Sequence, residues 1–201
     1  MNLELLISFF LVGFFMHFYL CRKFNTDPQI VKTFLLYISL IFTLIRFFPQ
    51  DFNSRFTLLI ILGWTIILID NAHHRIPNII TGYCSLLFCG IAVMEDRIVV
   101  SIAGGVEFLI FFSVLAIASK LKIGIGDVKL AGVIGLIIGV VTFQELIFFL
   151  LVAAILGLGS LLSSPSALHL KARIPFAAPM IAATFLIGPI WSIWPMLHMN
   201  G

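Results

Sequence analysis

Long apolar runs, each ended by a short polar cluster, constrain this chain more than any other feature. They extend over Leu3 to Leu20, Thr33 to Phe48, Phe56 to Ile69, Asn78 to Met94, Ile98 to Ser119, Val128 to Phe143, Leu146 to Leu162 and Ile174 to Leu197. A helix crosses a hydrocarbon core about 30 Å thick with about 20 apolar residues. Only a helix or a closed barrel satisfies its backbone there. The 201 residues therefore predict an all-α, polytopic membrane helical bundle of about eight transmembrane helices. Little length remains for a soluble domain, so 1–201 reads as one integral membrane domain. Only 10% of the residues are charged, where soluble domains average about a quarter. The basic residues lie scattered between apolar runs, which excludes a nucleic-acid-binding patch.

Charge placement orients the bundle, because Lys and Arg flanking a span favour the cytoplasmic side. Taking alternate connections, nine of the 12 Lys and Arg residues fall on one side: Arg22, Lys23, Lys32, Arg75, Lys120, Lys122, Lys129, Lys171 and Arg173. Arg46, Arg55 and Arg97 fall on the other. Both termini are then expected on the non-cytoplasmic side. The first run has no basic residue before it and no small-residue cleavage site, and so reads as a retained helix rather than a removed signal peptide.

Two acids sit where runs begin or end. Asp70 closes the third run, and Asp127 stands in Gly124-Ile125-Gly126-Asp127-Val128-Lys129 at the start of the sixth. Acids at membrane helices are expensive and mark functional sites by default. The orientation derived from Lys and Arg puts both at the cytoplasmic face, although neither acid entered that count. Two carboxyls brought together there form a water-activating pair, sharing one proton and titrating as a unit. The plain structural alternative is a pair of interfacial carboxylates in water or bound to Arg75, Lys122 or Lys129. Gly124 and Gly126 suit a positive-φ or closely approached segment, which would leave Asp127 in a loop beside a wet cavity. Lys129 reads as a headgroup-level snorkelling residue.

The segments Asp70 to Thr81, with Ile76-Pro77-Asn78, and G-x-G-D-x-K, with Lys129, together resemble the type IV prepilin peptidases, membrane aspartyl proteases of the GxGD type. The resemblance extends from about Trp64 to Phe185. A later element, Pro175-Phe176-Ala177-Ala178-Pro179, is similar too, with Ala177 where members often carry glycine. The resemblance implies that Asp70 and Asp127 are catalytic, supported by Gly124, Gly126, Lys129, Pro77, Asn78, Pro175, Phe176 and Pro179. It implies cleavage of prepilin or type II pseudopilin leaders at the cytoplasmic face of the bacterial inner membrane, with no metal and no cofactor. Those precursors and membrane lipids are the expected partners, and the sequence does not give an oligomeric state. Many longer members carry an N-terminal insertion with two C-x-x-C pairs, associated with zinc and N-methylation, and this chain reads as a short form without it. The rival reading from the residues alone is a proton-coupled transporter or channel using two intramembrane acids.

Other polar residues have plainer readings. Cys21, Cys84 and Cys89 form no C-x-x-C pair and read as small core residues. His73 and His74 read as turn residues, and Glu107, inside the fifth run, as the partner of Arg46 or another buried polar group. Trp191 and Trp194 suit an outer aromatic belt.

Overall fold

The computed structural model describes residues 14–15, 17–25, 54–73, 76–120, 123–162 and 176–198. The second apolar run, most of the first, His74, Arg75 and Pro175 lie outside these. Every regular element among the described residues is an α-helix: α1 (17–23), α2 (Ser54–His73), α3 (Asn78–Met94), α4 (Ile98–Ala118), α5 (Ile125–Ile138), α6 (Phe143–Leu162) and α7 (Ala177–His198). The chain divides into two compact units, Met1–His73 and His74–Gly201.

In the first unit, α2 buries Leu58, Leu59, Leu62, Ile66 and Ile69, a stripe at helical spacing. Polar contacts add to it. Buried His17 on α1 meets Thr65 Oγ1 on α2 at 2.9 Å, and His73 Nε2 donates to the Phe24 carbonyl at 2.6 Å. A carbonyl only accepts, so the His73 proton sits on Nε2.

The second unit is built around α5. This helix packs against α3, α4 and α7, while α6 packs on α7. Its residues from Leu130 to Ile137 are all buried, as expected of a helix that is apolar on every side. The approach to α4 is set by glycines. A Cβ on Gly135 would overlap the Gly104 carbonyl, one on Gly104 would overlap the Gly139 backbone, and one on Gly105 would stand 2.9 Å from Leu136 Cδ2. Small residues of this kind let helix backbones touch.

In the second unit, helix boundaries correct the sequence expectation at α5 and α6. The sixth run was expected to be helical from Val128 to Phe143, but α5 starts at Ile125 and stops at Ile138. Gly139, at φ 90, ends it in a conformation that side chains other than hydrogen disfavour. The following turn is held by Glu107 on α4, whose Oε2 accepts the Val141 N–H at 3.2 Å. Glu107 thus serves a backbone amide. The seventh run was expected from Leu146, yet α6 begins at Phe143. There Glu145 Oε2 accepts the Thr142 N–H at 2.6 Å, and Thr142 Oγ1 accepts the Glu145 N–H at 3.4 Å, a reciprocal cap.

Among the described residues, α4 is the one helix long and apolar enough to cross a membrane, and α3 together with parts of α6 and α7 form shorter apolar helices. The outer side of α4 is apolar as well, with Val99 77% and Ile117 72% exposed.

The glycine contacts predict opposite outcomes for one substitution. Gly135→Ala should destabilise the protein by about 1–3 kcal/mol through overpacking. Gly82→Ala, where a Cβ meets nothing within 4 Å, should be neutral or stabilising by up to about 1 kcal/mol. Thermal unfolding in detergent reads both.

Candidate active site

Asp127 lies in the first turn of α5, not in a loop. Gly124 is the N-cap, at φ −67 and ψ 143, so the glycine does not use a positive φ. Its N–H donates to Asp127 Oδ2 at 3.2 Å, and the Asp127 N–H donates to the Gly124 carbonyl at 3.0 Å. A carboxylate three residues into a helix accepts an otherwise orphaned amide and meets the positive end of the helix dipole. Its aim is therefore fixed by backbone. Asp127 is half-buried.

Gly126 has a different reason for lacking a side chain. A Cβ there would lie 3.3 Å from both the Cβ and the backbone nitrogen of Ile76. The close approach expected at this glycine is thus made by the chain's own Ile76-Pro77-Asn78 segment. Pro77, at φ −65 and ψ 138, caps α3, a position where its missing N–H is harmless. Asn78 follows as the first helical residue. Its Oδ1 accepts a hydrogen bond from Lys129 Nζ at 2.6 Å.

Two sequence elements 51 residues apart are joined by these contacts. Lys129, expected at the headgroup level, donates a hydrogen bond to Asn78. No local pattern announces this bond. The third element sits elsewhere: a Cβ on Gly157 of α6 would stand 3.4 Å from Phe176 Cε2 and 3.6 Å from Pro179 Cγ. Pro179 stands in the first turn of α7, where proline is tolerated, and Phe176 accepts the Met180 N–H at 3.2 Å. These residues pack α7 on α6.

Asp70 belongs to the first unit. It lies within α2, three residues before the helix ends, and is 5% exposed. The helix therefore continues past the acid. His17, with Thr65 and the Cys21 sulfur 3.7 Å away, is a buried polar group that the sequence reading passed over; a histidine inside a long apolar run was the available signal. Among the described residues, no three His, Cys, Asp or Glu side chains are grouped to hold a metal ion.

A family profile described as type IV leader peptidase matches residues 57–162, just over half of the chain and including Asp70 and Asp127. The chain belongs to the type IV leader peptidase family. Neither a curated protein nor a solved structure matches it. The match ends before Pro175, so the Pro175 to Pro179 element stands outside it.

The Lys129–Asn78 bond can be measured. Asn78→Ala and Lys129→Met should each lower stability, with a coupling of about 0.5–1.5 kcal/mol in a double-mutant cycle. Additive effects would mean that the contact carries no stability.

Proposed function

We propose that this chain is a membrane-embedded aspartyl endopeptidase that removes the leaders of type IV prepilins or type II pseudopilins. The observation that carries the reading is the family match across residues 57–162, because it contains both Asp70 and Asp127. The two carboxyls act together. One, ionised, takes a proton from water as the water attacks the scissile carbonyl. The other, protonated, donates to the carbonyl oxygen; as the C–N bond breaks, the first acid passes the proton it took from water to the leaving nitrogen, and the second takes its own proton back from the gem-diol hydroxyl. Carboxyls about 3 Å apart cannot both ionise cheaply, so the pair holds one proton and titrates with two apparent pKa values. Neither acid is given a fixed role, since the pair is the titrating unit.

Asp127 suits this task because the Gly124 amide anchors one carboxylate oxygen. Ile76, Pro77, Asn78, Gly124, Gly126 and Lys129 are supporting residues in this reading. They set the register of the helix that bears Asp127, as the Gly126 and Asn78 contacts indicate. Phe176 and Pro179, which meet Gly157, are supporting residues too, and Pro175 is included with them on the resemblance alone. The site works at the cytoplasmic face of the bacterial inner membrane in a single eight-helix domain with both termini outside. The distribution of nine basic residues against three among the 12 supports that topology. A substrate with a cytoplasmic leader and a membrane-inserted helix would present its junction at that depth. Catalysis needs no metal or cofactor in this scheme. The proton-coupled transporter gains nothing from the family match.

Asp70→Asn and Asp127→Asn should each lower cleavage of a co-expressed prepilin by at least about a hundredfold, with membrane insertion intact. Asn at 127 can still accept the Gly124 N–H, so loss of activity there is not loss of the helix cap. Mass spectrometry of the substrate gives the cut position. Full cleavage by either variant rejects the pair, and proton flux in proteoliposomes without cleavage favours the transporter.

A further inference from the structure

A second site lies on the side of α5 turned away from Asp127. A groove of about 570 Å³ runs between α3, α4 and α5, within the range of about 300–1,000 Å³ usual for ligand clefts. On α5 it is lined by Lys129, Gly132, Val133 and Leu136, one face at helical spacing. Asp127, two residues before Lys129, is roughly 200° around the helix. A molecule in the groove therefore does not face the acid.

We propose that this groove binds one acyl chain of an anionic phospholipid, with the headgroup at Lys129. Three features favour that occupant. Length is the first: on α3 the lining runs from Asn78 to Cys89, a rise of roughly 16 Å, which matches one leaflet of a hydrocarbon core about 30 Å thick. A substrate's membrane helix would need the full thickness. Polarity is the second. Thr81 and Ser85 line the groove, but Thr81 Oγ1 donates to the Asn78 carbonyl at 3.1 Å and Ser85 Oγ to the Thr81 carbonyl at 2.8 Å. Their donors are used within α3, and α4 adds Ile102, Val106 and Leu109, so the wall suits hydrocarbon. Charge is the third: Lys129 is the one charged residue among the described lining residues, and it stands at the end where a headgroup would sit. Basic pockets between membrane helices hold anionic headgroups. The Asn78 Oδ1 bond uses one of the three ammonium donors, leaving others for a phosphate.

The proposal rests on the membrane reading above but not on catalysis, and lipid retention is measured without any cleavage. The full chain in mild detergent is equilibrated with equal amounts of dioleoyl phosphatidylglycerol and dioleoyl phosphatidylcholine and examined by native mass spectrometry. Phosphatidylglycerol should be retained roughly fivefold over phosphatidylcholine. Lys129→Gln should equalise the two. Gly82→Leu, placed where a Cβ meets nothing within 4 Å, should fill the groove and reduce retention of both, with helix content by circular dichroism unchanged. Equal retention by the unmodified chain overturns the proposal, whatever the variants do. So does displacement of the bound lipid by an apolar prepilin peptide, which would assign the groove to substrate.

Discussion

The second unit depends on two helix backbones meeting without side chains between them. The Gly104 carbonyl occupies the place of a Gly135 side chain, and the Gly139 backbone that of a Gly104 side chain. Lipid tails are as apolar as leucine, so packing in hydrocarbon gains little from burial and much from close contact. With α4 and α5 locked in this way, α3 and α7 can both reach α5. Gly139 then has to turn the chain away at once, and Glu107 on α4 receives the Val141 amide that the turn releases. An acid inside a helix long and apolar enough to cross a membrane, easily read as a relay group, is here the partner of a backbone donor that would otherwise be costly to bury.

The same helix explains the glycines around Asp127. Gly124 is a cap whose N–H goes to Asp127 Oδ2, and Gly126 is bare because the Ile76 backbone lies against it. The motif is thus a packing device in its own right. It lets the start of α3 press against the start of α5, and the bond between Lys129 and Asn78 closes the contact. The Asp127 carboxylate gains from this arrangement because one of its oxygens is held by main chain, which has fewer ways to relax than a rotamer.

Hydropathy made most helices of the second unit legible, since α3 and α4 fall within a residue of the apolar runs that predict them. It failed at the ends of α5 and α6 because hydrophobicity is blind to caps. Gly139 is apolar by composition and so extended the sixth run, although its φ of 90 ends the helix. Thr142-Phe143-Gln144-Glu145 has the S/T-x-x-E spacing of a capping box, yet two polar residues in an apolar sequence look like a break. The pairing of Lys129 with Asn78 and of His17 with Thr65 joins residues 51 and 48 apart. Neither follows from a local period, because it depends on which helices become neighbours. The family, in contrast, was legible from nine residues, since Asp70, Pro77, Asn78 and Gly124 to Lys129 carry a spacing that chance does not readily produce.

The layout also bears on hydrolysis against transport. Moving a proton across a membrane requires ionisable groups in succession through the hydrocarbon. From Leu130 to Ile137, α5 presents only apolar and glycine residues, all buried, and the described acid on α4 is engaged by the Val141 amide. Chemistry at one surface makes no such demand. It needs an acid held at a helix start, and Asp127 has that place, two residues before Lys129. The lysine faces the other way around α5. Two residues on one turn of α5 thus face opposite ways, and under the proposed topology one meets water and peptide while the other meets lipid phosphate.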